Sequence, residues 1–181
     1  MPANIEKVLD YLSRNFPKYH LNPLIFISIQ SQELYLINKK EVLKTYIIST
    51  AKNGTGNLTG SNQTPLGLHY ISEKIGDSAK IGSVFKSRIN THKLATILSD
   101  IGERSNIDNI TTRILWLSGL EDGINKGGNI DSHDRYIYIH GTDEEGRLGQ
   151  AVSHGCIRMG NENIIELFNH ISLGTHVFID E

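Results

Sequence analysis

The chain of 181 residues contains one cysteine, Cys156. It lies in Ser153-His154-Gly155-Cys156-Ile157-Arg158-Met159, and a second histidine, His140, precedes Gly141 further upstream. A free thiol has a pKa near 8.5, so only a small fraction is thiolate at neutral pH, and the thiolate is the nucleophile. A neighbouring imidazole accepts the proton and stabilises the thiolate that results. His154 and His140 are both candidates. His154 is tied to Cys156 by a single residue, which leaves it little freedom to aim at the sulfur; His140 stands on a strand, a rigid mount, and is assigned as the base. The base needs its second ring nitrogen oriented, which a backbone carbonyl such as that of Gly141 can do. Gly155 lets the backbone approach a bound carbonyl, with the N–H groups of Gly155 and Cys156 forming an oxyanion hole. Arg158 either orients this loop or holds a substrate carboxylate.

Two other readings compete. A free cysteine is commonly a small buried hydrophobe, but His, Gly and Arg neighbours in a turn-like segment are poor material for a dry core. Zinc has ligand types available in His133, His140, His154 and Cys156, yet no Cys-x-x-Cys or His-Glu-x-x-His spacing accompanies them, and no metal or cofactor is expected.

The elements that must hold these residues follow from periodicity. Ile5, Val8, Leu9, Leu12 and Phe16 recur at helical spacing before Pro17, which predicts an amphipathic helix over 4–16. A helical extension, 1–22, is therefore expected to pack on one domain, 23–181. From Leu24 the period is two: Ile25, Ile27 and Ile29 share a face, Ser31-Gln32 offers a turn, and strands are expected at 34–38 and 42–49. The stretch 51–67 is rich in Gly and Asn and reads as a loop, and loops of this length are often functional. Short strands are expected at 69–71 and 84–85, a helix at 94–101, a buried strand at 113–117 and a second irregular loop at 118–134. The alternation Arg135-Tyr136-Ile137-Tyr138-Ile139-His140 predicts a strand with Tyr136, Tyr138 and His140 on one face. Asn161 is the expected N-cap of a helix carrying Ile164, Leu167, Phe168 and Ile171, which Gly174 closes before a last strand at 175–179. Trp116 is expected in the core. The fold class is mainly β with peripheral helices (α+β).

Composition removes several functions. With 18 Lys plus Arg against 20 Asp plus Glu, the net charge is −2 and there is no basic excess for nucleic acid. No run approaches the roughly 18 apolar residues of a membrane span. Glu6, Asp10 and Arg14 interrupt the apolar residues near the start, so no export signal is read there. The expectation is a cytoplasmic protein, or a periplasmic or wall-associated one if a leader once preceded this chain.

His140-Gly141-Thr142 followed by Ser153 to Met159 resembles the L,D-transpeptidase catalytic domain, often called YkuD-like. Thr64-Pro65-Leu66-Gly67 and Arg113-Ile114-Leu115-Trp116-Leu117-Ser118-Gly119 add to the resemblance, which covers about 24–180. It implies a β-sandwich-like domain in which Cys156 is the nucleophile, His140 the base and the Gly141 carbonyl its orienter. Ser153, His154 and Gly155 complete the motif around the oxyanion, and Arg158 supports it. The implied partner is a peptidoglycan stem tetrapeptide or muropeptide, cleaved between its third-position diamino acid and the terminal D-alanine, with carbapenem acylation at Cys156 also implied. Hydrolysis, an L,D-carboxypeptidase reaction, is favoured by likeness to unexported members with the Leu-Trp-Leu-x-Gly segment. The alternatives are cross-linking by transpeptidation and a non-catalytic muropeptide-binding module. Tyr138 is a candidate cleft residue, and Arg113 and Arg135 are further candidate carboxylate partners.

Overall fold

The computed structural model describes residues 5–181, so residue 4, the expected first residue of the N-terminal helix, lies outside the described residues. The chain runs α1 (Ile5–Asn15), β1 (Leu24–Ser28), β2 (Glu33–Asn38), β3 (Glu41–Ser49), β4 (Gly67–Ile75), β5 (Ser83–Lys86), β6 (Ile89–Leu94) and β7 (Ile110–Gly119). It continues with β8 (Tyr138–Thr142), β9 (Ile157–Met159), α2 (Asn161–His170) and β10 (His176–Asp180). The fold is mostly β, as the period-two stretches predict, and sandwich-like, as the family resemblance implies.

Strand order is β4-β10-β1-β2-β3-β9-β8-β7, and β7 pairs back onto β4, so these strands close a ring. The β5–β6 hairpin hangs from the first residues of β7 through Val84↔Thr111 and Phe85↔Ile110. Closure leaves few open edges to template aggregation, and alternation then sends every second side chain inward. Ile25, Ile27, Leu34, Leu36, Ile48, Leu115, Leu117, Ile139 and Ile157 form that interior, capped by Ile164, Leu167 and Phe168 of α2. The intervening residues of β1 and β2 are also apolar, because Leu24, Phe26, Tyr35 and Ile37 are covered from outside by Leu12 and the apolar stripe of α1. Two buried faces explain why β1 is apolar at four of its five positions.

A third cluster, Phe85, Ile114, Trp116 and Tyr138, lies on the outer face of β7–β8, with Cys156 packed against it. Trp116 is thus buried outside the ring rather than in its main core. Among the described residues no helix is long and apolar enough to cross a membrane.

Three local expectations are corrected. No helix forms over 94–101: Leu94 ends β6, and Leu94 and Ile101 are exposed. The segment is held by its backbone instead, with Ala95 N–H on Gly82 O, Leu98 N–H on Asp143 O and Gly146 N–H on Leu98 O. The strand ending in His140-Gly141-Thr142 begins at Tyr138, not Arg135. The Asp131 carboxylate accepts the N–H groups of Gly127, His133 and Asp134, a turn that carries the chain through Tyr136 at φ 57°. Asn161 does not cap α2 with its side chain; Gly160 occupies the N-cap position and Asn161 is the first helical residue.

Candidate active site

The parallel pair β8–β9 aligns Ile139 with Ile157 and His140 with Arg158. Paired residues point the same way, so the two isoleucines enter the core while Tyr138, His140, Cys156 and Arg158 all face outward. Two short strands thereby gather the residues separated in sequence.

His140 is almost fully buried, and its Nδ1 lies 2.7 Å from Gly141 O. A carbonyl only accepts, so Nδ1 carries the proton and Nε2 keeps its lone pair. Gly141 is required by space: a Cβ there would meet Thr111 O at 2.7 Å and Asn161 Oδ1 at 2.8 Å. Asn161 is the hub of this packing, accepting from Thr111 Oγ1 at 2.6 Å and donating to Thr142 O at 2.8 Å and Glu145 Oε1 at 2.6 Å. Burial lowers the His140 pKa, opposed by the negative charge of Asp108 and the bond to Gly141.

Cys156 is half-buried. Its thiol donates to Tyr136 O and accepts from the Tyr138 N–H, each at 3.4 Å, and no hydrogen bond joins it to His140 among the described residues. Burial pushes its pKa up to about 12, helped by the Asp108 charge and opposed by the Tyr138 N–H, Arg158 and Arg135. At neutral pH the resting pair is a thiol and a neutral imidazole.

The turn before Cys156 is stapled by Ser153, whose hydroxyl donates to Cys156 O at 2.6 Å and accepts the Gly155 N–H at 3.2 Å. In the resting site the Gly155 N–H, an expected oxyanion donor, is thus engaged by Ser153. The Cys156 N–H has no acceptor among the described residues. Gly155 sits at φ 131°, a left-handed conformation that a side chain would strain. Thr64, from the long loop 51–67, donates to Gly155 O at 3.0 Å and accepts the Ala51 N–H, tying that loop to the cysteine turn.

His154 points away, its side chain 71% exposed and its Nδ1 2.8 Å from Asp108 Oδ2. The same oxygen lies 2.6 Å from Arg158 Nη2, while Arg158 Nη1 is 2.9 Å from Glu144 Oε2. Arg158 is buried with Nη1 and Nη2 both taken by carboxylates, which fits the first of its two expected roles, orienting the loop, and not the second, holding a substrate carboxylate. Burial would raise the Asp108 pKa, but Arg158, His140 and the bonds from His154 and Arg158 outweigh this and lower it. Asp108 was missed in the sequence, where it sits in an unremarkable polar stretch with no spacing signal to the cysteine.

The remaining arginines divide. Arg113 donates to Ala79 O and Thr112 O and lies over Phe168, away from Cys156. Arg135 donates to Gly56 O at 3.1 Å and Gln63 O at 2.7 Å, pinning the long loop, and its charge reaches the thiol. The four residues with zinc-ligand chemistry do not converge, since His133 stacks on Trp116 at 4.1 Å and His154 turns to Asp108. Among the described residues no group of His, Cys, Asp or Glu side chains is arranged to hold a metal ion.

Comparison with known proteins adds to this geometry. The L,D-transpeptidase catalytic domain (YkuD) family matches residues 22–179. YqjB of Bacillus subtilis, provisionally named an L,D-transpeptidase, is 49% identical over 49 residues, 26% of this chain and 28% of YqjB. YbiS of Escherichia coli K12, named a probable L,D-transpeptidase, is 50% identical over 48 residues, 26% of this chain and 16% of YbiS. Among solved structures, L,D-transpeptidase 3 from Mycobacterium tuberculosis superposes with a TM-score of 0.53 at 15% identity, covering 87% of this chain and 60% of that one. LdtMt1 in complex with imipenem gives 0.51 at 20% identity, covering 87% and 58%. At these identities the likeness to the solved structures shows a shared fold, and the matches span less than two thirds of each relative's length.

Proposed function

The chain belongs to the L,D-transpeptidase catalytic domain family, and on that premise we propose that it is a cysteine acyl-enzyme of peptidoglycan stem tetrapeptides that releases terminal D-alanine. The observation that carries this reading is the Nδ1 hydrogen bond from His140 to Gly141 O, 2.7 Å, on the same outward face as Cys156. It leaves Nε2 as the basic nitrogen on the face that carries the thiol.

In the proposed sequence, Nε2 of His140 takes the Cys156 proton as Sγ attacks the carbonyl carbon of the third-position diamino acid. The Cys156 N–H donates to the oxyanion, as does the Gly155 N–H once it turns from Ser153. The C–N bond then breaks, the proton passes from His140 to the departing amine, and a thioester remains. Water next attacks the thioester, its proton going to His140 and then to sulfur, and the tripeptide leaves.

Hydrolysis is favoured over transfer to an amine because the Leu115-Trp116-Leu117-Ser118-Gly119 segment resembles the recycling members of the family. In that reading the protein trims recovered muropeptides in the cytoplasm. Acylation of Cys156 by carbapenems belongs to the same proposal, supported by the fold shared with LdtMt1, which was solved with imipenem. Tetrapeptide offered with and without excess amine acceptor tests the reading. Tripeptide and free D-alanine in both arms are expected; a dominant transfer product would replace hydrolysis with cross-linking. Saturable binding with no covalent adduct by intact mass would leave only a muropeptide-binding module.

A further inference from the structure

The β5–β6 hairpin turns through Ser87-Arg88, closed by the pair Lys86↔Ile89, and both turn residues have positive φ, 49° and 68°. Two-residue turns of this kind favour Asn and Gly. Arg88 therefore stands in a left-handed conformation that side chains rarely adopt, as Lys39 and Lys40 do in the β2–β3 turn.

The surroundings are aromatic. The Arg88 guanidinium carbon is 4.8 Å from the centre of the Trp116 ring and 5.1 Å from that of Tyr136, and Nη1 donates to Tyr138 Oη at 3.3 Å. These residues neighbour the thiol: Cys156 packs against the cluster that contains Trp116 and Tyr138, and its Sγ bonds the backbone of Tyr136 and Tyr138. Trp116 is in turn wedged between His133, stacked at 4.1 Å, and Tyr138, edge-on at 5.4 Å.

Arg88 is seated on aromatic rings, unlike the other arginines near the thiol, which are engaged by carboxylates or backbone carbonyls. Arg158 and Arg147 are ion-paired, and Arg113 and Arg135 donate to backbone carbonyls. Among the described residues Arg88 makes no ion pair within 4.0 Å, although the Glu73 carboxylate is near enough to act on its charge, and its hydrogen-bond acceptor is one phenol oxygen. A guanidinium offers five donors in a planar fork that matches a carboxylate. The aromatic faces hold the cation in place by cation–π attraction while leaving its N–H edge unfilled.

We propose that Arg88, held by Trp116, Tyr136 and Tyr138, is a carboxylate-binding subsite on the face that carries Cys156 and takes one carboxylate of the acyl donor. The proposal rests on the stem-peptide reading above. Two carboxylates near the scissile bond share this chemistry, that of the terminal D-alanine and the second carboxylate of the diamino acid.

Binding to the turnover-free variant Cys156→Ala separates them. Calorimetric titration uses a stem tetrapeptide carrying diaminopimelate, its C-terminal amide, and the analogue amidated on the diaminopimelate side chain. Adding Arg88→Gln is expected to weaken the tetrapeptide about tenfold or more, with the thermal melt unchanged. For one amidated analogue the substitution is expected to have no effect, and that analogue names the carboxylate. Arg88→Lys, a point charge without the fork, is expected to fall between. Equal loss for all three peptides, or no loss for any, overturns the subsite. A wild-type protein that releases D-alanine while its variants bind all three alike keeps the proposed activity and loses the subsite. One that shows the Arg88-dependent pattern without releasing D-alanine keeps the subsite and loses the activity, and one that binds no peptide loses both.

Discussion

The inside of the strand ring and its outer β7–β8–β9 face are built from the same strands by different forces. Inside, Leu115, Ile139 and Ile157 pack through non-directional burial, so neighbours of similar volume can replace one another. Outside, His140, Cys156, Arg158 and Asp108 are held by directional bonds, and each removal leaves a partner exposed to an unmet charge or donor. Substitutions inside should therefore change stability more than chemistry, and those outside should do the reverse except where a buried charge is cut loose.

The largest effect expected is on the outer face. Cys156→Ala should abolish D-alanine release, by about three orders of magnitude or more, with little change in melting, measured by coupled release assay and calorimetry. Activity surviving the change would remove the nucleophile from this face altogether.

A sharper contrast pairs Arg158→Gln with Leu115→Ala. Arg158 is buried between Asp108 and Glu144, so its loss strands two carboxylates and should cost about 3–5 kcal/mol, together with activity. Leu115→Ala should cost about 2–5 kcal/mol through the cavity it leaves, with turnover per folded molecule retained. Denaturant titration and active-site counting would distinguish them; equal activity loss in both would erase the division between the regions.

Acid should weaken the fold through the buried histidines. His69 is enclosed, its Nδ1 on Gly67 O and its Nε2 accepting from Ser132 Oγ, and burial pushes its pKa down to about 4. Above the unfolded value of about 6.5 both states are neutral and its contribution is complete. As pH falls from about 6.5 towards 4 the unfolded chain binds a proton that the native one refuses, and about 3 kcal/mol is lost. Burial also lowers the His140 pKa, which acts in the same direction. His69→Gln should flatten the slope between about pH 7 and pH 5 in denaturant midpoints; an unchanged slope would assign it elsewhere.

The smallest effect tests the exposed rim. His154 is largely in solvent and bonds Asp108, so His154→Ala should lower turnover by less than about tenfold, whereas His140→Ala should lower it by about 10² or more. Equal losses would mean that the base had been misassigned.

Legibility in the sequence follows the same division. β1, β2 and the α1 stripe are legible because burial on a fixed face imposes a period. The apolar set Leu94, Ile97, Leu98 and Ile101 has a helical period by coincidence: Leu94 and Ile101 face solvent, and backbone bonds to Gly82, Asp143 and Gly146 hold the segment extended. Alternation from Arg135 to Ile137 likewise runs past a turn that Asp131 dictates. Asn161 has a capping side chain, but the threonines of β7 and Glu145 compete for it more closely than the helix end does.

The order of residues by itself determined the ring's apolar faces and the family motif, and it pointed to Cys156 with His140 as candidates, since burial periods and motif spacing are local properties of a chain. Tertiary structure alone decided that Asp108 charges this site, that Arg158 anchors rather than receives, and that Arg88 reaches the aromatic residues that neighbour the thiol. Each of those depends on strands distant in sequence meeting across a closed ring, where Coulomb and hydrogen-bond energies are set by ångström separations that spacing along the chain does not encode.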